Sequence, residues 1–252
     1  MRRLHLATAL AAALAAAPLA AQPPSVLIAP FSAAADSAPP APWRVVTLPK
    51  LPRHSQYTID RVDDRRVLRM ESNGGYANLL HPLAVDAAAT PWLRWRWRIE
   101  RHPAGADLRR KEADDMPARV CVLFDLPLDR LRFGDRLQVQ LGRLLFDPDL
   151  PAASLCYVWD ATLPAGTWLP NAYTDRVQML VLRSTASGDR DGAWAAEARD
   201  LRADFARAFP HEAAANRALP LAAVGVATDA DNTGGRTLAY LGDLTLTAEA
   251  PQ

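Results

Sequence analysis

Seven consecutive residues, Leu93-Arg94-Trp95-Arg96-Trp97-Arg98-Ile99, alternate apolar and cationic without a fault. Side chains along a β-strand point to opposite faces with a period of two, whereas a helix would scatter this pattern around its axis. Leu93, Trp95, Trp97 and Ile99 therefore share one face and need a core. Arg94, Arg96 and Arg98 share the other, which either meets solvent or lines a groove for acidic groups. A chain carrying such a segment is committed to a sheet with one buried face.

The rest of the chain repeats the theme at lower contrast. Period-2 or apolar runs bounded by Gly, Pro and Asp occur at Trp43–Thr47, Arg66–Glu71, Tyr76–Val85, Arg119–Asp125, Leu155–Asp160, Arg176–Arg183, Trp194–Arg199, Leu221–Thr228 and Thr237–Thr247. Short strands at that spacing predict an all-β, mainly antiparallel single β-sandwich or jelly roll rather than alternating βαβ units. One or two short helices are expected. Leu131, Leu141, Leu144 and Leu145 give Asp129–Leu145 a partial apolar stripe, and Leu201, Phe205 and Phe209 recur at helical spacing within Leu201–Phe209. At 252 residues, half of them hydrophobic, the chain is long enough for a sizeable core.

The N-terminus reads as a targeting segment. Met1-Arg2-Arg3 is a positive start, Leu6 to Ala17 is an Ala/Leu stretch with only Thr8 polar, and Leu19-Ala20-Ala21 offers a cut before Gln22. This is the pattern of a secretory signal peptide over residues 1–21. A periplasmic or secreted protein is expected, with an Ala/Pro-rich lead-in over 22–42, a single sandwich domain over 43–252 and no membrane span in the mature chain. Removal of Arg2 and Arg3 leaves 27 basic against 28 acidic residues. A near-neutral balance gives no field for nucleic acid.

Export places Cys121 and Cys156 in an oxidising compartment. If Val120, Val122, Phe124 and Val158 all face the core, Cys156 points inward and Cys121 outward, so separate buried thiols are favoured over a bridge. Only Lys50 and Lys111 are lysines among 29 basic residues.

The common catalytic signatures are missing: no Gly-x-Ser-x-Gly, no phosphate-binding loop, no His-Glu-x-x-His and no paired Cys-x-x-Cys. Polar clusters at strand ends remain. Lys111-Glu112-Ala113-Asp114-Asp115 precedes the strand that carries Arg119. Tyr157-Val158-Trp159-Asp160 ends another, Arg199 and Asp204 flank a third, and Asp229-Ala230-Asp231-Asn232-Thr233-Gly234-Gly235 joins two apolar runs. The last begins like a calcium loop, but the twelfth position is Tyr240, where a bidentate Glu is required. It reads as a turn that leaves a Ca²⁺ site open at Asp229, Asp231 and Asn232; no other cofactor is evident. Aromatic faces beside carboxylates and arginines suit sugar rings and their hydroxyls.

Taken in order, Trp95-Arg96-Trp97-Arg98, Lys111-Glu112-x-Asp114-Asp115 with Arg119, Tyr157-x-Trp159, Trp194…Glu197-x-Arg199, Asp204…Phe209 and Asp229-x-Asp231-Asn232-Thr233 resemble the bacterial domain-of-unknown-function family 3047. The resemblance spans Trp92 to Leu244, with a looser match back to Trp43. It implies an exported single-domain protein with a galactose-binding-like or jelly-roll sandwich, and it supplies no reaction.

Three functions are compatible with these residues. The favoured one is binding of a glycan or acidic small-molecule ligand, with Lys111, Asp114, Asp115, Arg119, Tyr157, Trp159, Arg199 and Asp204 as candidate ligand-binding residues. A polysaccharide lyase or glycoside hydrolase is the second, and a structural envelope protein with buried ion-pair networks the third. The charged members, with Asp229 and Asp231, are expected to converge at one end of the sandwich.

Overall fold

The computed structural model describes residues 24–49, 51–145 and 150–250; residues 1–21, read above as a signal peptide, lie outside the described residues. In chain order the strands are β1 (Ser25–Ile28), β2 (Arg44–Val46), β3 (Gln56–Val62), β4 (Arg65–Asn73), β5 (Tyr76–Asp86), β6 (Trp92–Arg101) and β7 (Ala118–Phe124). Helix α1 (Phe133–Leu145) follows, then β8 (Ala153–Asp160), β9 (Trp168–Pro170), β10 (Val177–Ser184) and β11 (Ala195–Asp200). Helices α2 (Leu201–Ala208) and α3 (Pro210–Ala215) lead to β12 (Pro220–Asp229), β13 (Arg236–Leu241) and β14 (Leu244–Thr247).

Two seven-stranded sheets result. The first runs β1-β14-β6-β13-β4-β3, with β11 pairing β6, and the second runs β2-β5-β12-β7-β8-β10-β9. Pairing is antiparallel except between β8 and β10, so the expected mainly antiparallel sandwich is what forms. Strand β6 sits centrally in the first sheet and behaves as its alternation demands: Leu93, Trp95, Trp97 and Ile99 are buried while the three arginines are only partly so.

The two sheets meet through aromatic pairs. Trp97 lies 5.7 Å from Trp159 and Trp95 lies 5.3 Å from Tyr157, each pair crossing from one sheet to the other. Rings of this size bury about 150–250 Å² each, worth about 4–6 kcal/mol at about 25 cal/mol per Å² before ordering costs.

Both predicted helices exist, and a third, α3, follows directly from α2. Asp200 accepts from the backbone N–H groups of Arg202 and Ala203 and so caps α2, and Pro210 opens α3, where its missing N–H costs nothing. The expected stripe is only partly buried: Leu131, which precedes α1, and Val139 join the core, whereas Leu141 and Leu144 are exposed.

Two further expectations need correction. The lead-in is not irregular throughout: Ser25–Ile28 pairs with β14, and Ile28 and Phe31 enter the core. The Ala/Pro composition hid the few apolar residues that decide this. The cysteines are bridged, contrary to the separate thiols expected. Cys121 and Cys156 are direct cross-strand partners between β7 and β8, so their side chains leave the sheet on the same face. The faulty premise was Val158. Strand β8 is buried on both faces, and Val158 joins both cysteines in a second apolar cluster outside the main core.

Candidate functional site

Register brings the site together at one end of the second sheet. Strand β12 ends at Asp229, which pairs with Tyr76 at the start of β5, and Ala227 pairs with both Asn78 and Arg119. Since alternate residues share a face, Tyr76, Asn78, Asp229 and Arg119 all project from the outer face of that sheet. The loop before β7 delivers Asp114 and Asp115, and the turn after β12 delivers Asp231 and Asn232. All of these groups except Asp115 line a cleft of about 890 Å³. Its floor includes Leu80, Leu123 and the Cys121–Cys156 bridge, and Tyr173 supplies an exposed ring on its wall.

Each aspartate has a different task. Asp115 is fully buried and accepts from the Asn232 N–H at 3.1 Å, the Thr233 N–H at 2.8 Å and the Thr233 hydroxyl at 2.5 Å. It is spent on holding the 232–233 turn. Asp114 accepts from the side-chain amides of Asn232 at 2.6 Å and Asn171 at 3.4 Å. Burial pushes its carboxyl up to about 6, against the pull of Arg119 and with a further push from Asp115. Asp229 is 5% exposed. Burial and the neighbouring Asp231 carboxyl raise it well above the ordinary range, with Arg119 opposing.

Arg119 is the positive centre of the cluster. Its guanidinium lies 5.0 Å from the centroid of the Tyr76 ring, donates to the Tyr76 hydroxyl, and reaches the Asn78 amide oxygen at 3.4 Å. Its Nε–H has no partner among the described residues. Burial works against its charge, but Tyr76, Asp229 and Asp114 outweigh that and hold it protonated. This part of the cleft thus combines one fixed cation, one carboxyl that titrates near 6 and one that burial and Asp231 push well above the ordinary carboxylate range. Such a set can donate and accept protons or hydrogen bonds toward a ligand.

Carboxylate oxygens of Asp115, Asp229 and Asp231 also lie within 4.8 Å of one another, a grouping that would fit a cation. Lys111 stands at the rim, its ammonium 5.5 Å from the Tyr173 ring, whose hydroxyl donates to the Lys111 carbonyl at 2.8 Å.

Of the residues singled out from sequence, Asp114, Asp115, Arg119, Asp229, Asp231 and Asn232 come together, with Lys111 beside them. Tyr157, Trp159, Arg199 and Asp204 do not. Tyr157 and Trp159 are packed between the sheets, 0% and 1% exposed, so neither lines a groove. The Tyr157 hydroxyl donates to Asp204 at 2.8 Å, and Arg199 binds the same carboxylate at 2.5 and 2.8 Å. This network ties β8, β11 and α2 together. Tyr76, Asn78, Asn171 and Tyr173 were not anticipated. Period-2 spacing would have put Tyr76 and Asn78 on one face, but only the register with Asp229 makes that face the site.

Residues 41–245 match a family model described as a protein of unknown function (DUF3047). No curated protein matches the chain. Among solved structures it is similar to the glycoside hydrolase domain of Spr0440, Endo-D, from Streptococcus pneumoniae R6. The identity is 11% and the TM-score 0.36, covering 83% of this chain and 22% of that one. The chain therefore spans about a fifth of that protein, and a likeness of this size adds nothing to the reading of the site.

Proposed function

This chain belongs to the DUF3047 family of proteins of unknown function, and we propose that it binds a carbohydrate in the cleft on the outer face of its second sheet. The observation that carries the reading is the polar cluster around Arg119 in a cleft that also presents the exposed ring of Tyr173. An aromatic face packs against sugar C–H groups, and carboxyl and amide groups meet hydroxyls. Three aspartates against one arginine favour a neutral glycan here over an acidic one. Arg119 already supplies the positive charge the carboxylates need, which favours an organic ligand over a bare Ca²⁺ at Asp229 and Asp231.

The same cluster supports a second reading. Asp114, poised near 6 beside Asp229, whose carboxyl burial and Asp231 push well above the ordinary range, offers the pair of differently tuned carboxyls that acid–base attack on a glycosidic bond requires. Export fits either reading. The signal-like residues 1–21 and the Cys121–Cys156 bridge both suit a periplasmic or secreted protein, and mass analysis of the exported chain should find it beginning at Gln22.

Thermal unfolding of the mature protein against neutral and uronic polysaccharides, Ca²⁺ and EDTA tests the proposal. A glycan held at one hundred times its Kd should stabilise the fold by about 2.7 kcal/mol, and Tyr173→Ala, at an exposed position, should abolish the shift without unfolding the protein. No shift with any neutral glycan, or a shift that survives Tyr173→Ala, overturns it. Release of reducing ends from the bound glycan would establish the catalytic reading.

A further inference from the structure

The row of arginines on β6 is not absorbed by the cleft, which lies on the other sheet. Their surroundings differ in an informative way. Arg98 is neutralised, its Nε donating to Glu100 at 2.5 Å and its terminal nitrogen standing 3.7 Å from Asp63. Arg94 and Arg96 have no carboxylate within ion-pair distance among the described residues. The Nε–H of Arg94 is buried without a partner, and its terminal nitrogen reaches only the Glu249 carbonyl, at 3.2 Å.

Arg96 is held in place from two sides. Its guanidinium stacks 4.3 Å from the centroid of the Trp194 ring, and its stem lies on Gly242, where a Cβ would meet Arg96 Cγ at 2.7 Å. The cross-strand neighbours of the pair are small: Ala196 beside Arg96, and Ala198 and Thr245 beside Arg94. Side chains of that size leave both cations lying in an open trough. The trough is a groove of about 1020 Å³, far more than a single carboxylate or phosphate fills. Arg61, Arg65 and Arg66 from the β3–β4 hairpin line it as well.

Three acidic residues also reach the groove, and all three are engaged: Asp64 stands 4.0 Å from Arg61 on the same hairpin. Glu197 accepts from Arg183 at 2.7 Å and from the Trp97 indole at 3.1 Å, and Asp243 accepts from the Ser32 N–H and hydroxyl. Five arginines interspersed with three carboxylates and two threonines are poor for the dense phosphates of nucleic acid. They suit a polymer whose anionic groups alternate with hydroxyls.

We propose that this groove is a second binding site, for a linear glycan bearing carboxylate or sulfate groups, with Arg94 and Arg96 as its preplaced anion receptors. Guanidinium recognises both anions through paired N–H donors. The site is independent of the cleft, because its residues and its ligand charge are different.

Titration of the full mature protein with polygalacturonate, dextran sulfate and neutral dextran, followed by tryptophan fluorescence because Trp194 carries Arg96, tests it. One or both acidic polymers should bind, and which one names the anion. Dextran should not bind to this groove. Binding should weaken steeply with salt, as the Debye length falls from about 10 Å at 0.1 M to about 3 Å at 1 M. The double variant Arg94→Gln/Arg96→Gln should lower affinity by about tenfold per arginine. If that variant fails to fold, Arg61→Gln/Arg65→Gln, at exposed positions, decides in its place. No binding of either acidic polymer, unchanged affinity in the variants, or equal binding of a DNA oligonucleotide would overturn the proposal.

Discussion

Replacing Asp114 by Asn tests the electrostatics of the cleft in one experiment. The Asp114 carboxyl is 5% exposed and titrates near 6, against 3.8 for the free side chain. Between those values the folded state holds a proton that the unfolded state has released, so this group makes stability fall as pH rises through the window. Its stabilising contribution is complete below 3.8 and gone above about 6. A shift of about 2 pH units is worth about 3 kcal/mol at about 1.4 kcal/mol per unit. Asn is neutral at every pH and escapes that cost. It gives up one of the two hydrogen bonds that Asp114 accepts from Asn171 and Asn232, which costs about 1 kcal/mol. Asp114→Asn should therefore be about 1 kcal/mol less stable than the parent near pH 3 and about 2 kcal/mol more stable above about pH 7. Urea unfolding of both proteins across that range, with the disulfide intact, measures the difference directly. A difference that does not change with pH, or one that grows toward acid, would refute the assignment of a raised carboxyl to Asp114.

Other perturbations have equally definite outcomes. Reducing the Cys121–Cys156 bridge, which closes a loop of sequence separation 35, should cost about 4 kcal/mol; denaturation with and without dithiothreitol reads it, and a loss under about 1 kcal/mol would contradict the loop-entropy account. Asp115→Ala strands three donors of the 232–233 turn and should cost about 3 kcal/mol. Hydrogen exchange should then show the Asn232 and Thr233 amides unprotected. Gly75→Ala would place a Cβ 2.7 Å from the Arg53 backbone carbon and 2.8 Å from the His54 nitrogen. Backbone has to move, so a loss of about 1–3 kcal/mol in thermal unfolding is expected.

Legibility of the fold from sequence follows burial. Strand β6 announced itself because one face is core and the other carries cations, so polarity alternates with side-chain direction. Strand β8 is apolar on both faces, which erases the alternation. That is why Tyr157 and Trp159 looked equally suited to a groove, and why Cys156 was assigned the wrong side relative to Cys121. The aspartates and Arg119 were readable because charge runs at strand ends stand out from apolar neighbours. Tyr76, Asn171 and Tyr173 were not, since a lone polar or aromatic residue gains meaning only from what register sets beside it. The separation of Arg199 and Asp204 from the cleft likewise depends on β11 joining the first sheet, which no local pattern encodes.

The pairing of β1 with β14 has a consequence for how the chain reaches this structure. Ser25 is the partner of Thr247 and Ile28 of Leu244, so β1 has no partner in its sheet until β14, more than two hundred residues later, has been made. Central β6 waits as well, because β11, β13 and β14 all lie downstream of it. Contacts this distant in sequence pay their loop-closure entropy late and fold slowly. A nascent chain of this topology therefore completes its first sheet only after β14 has been made.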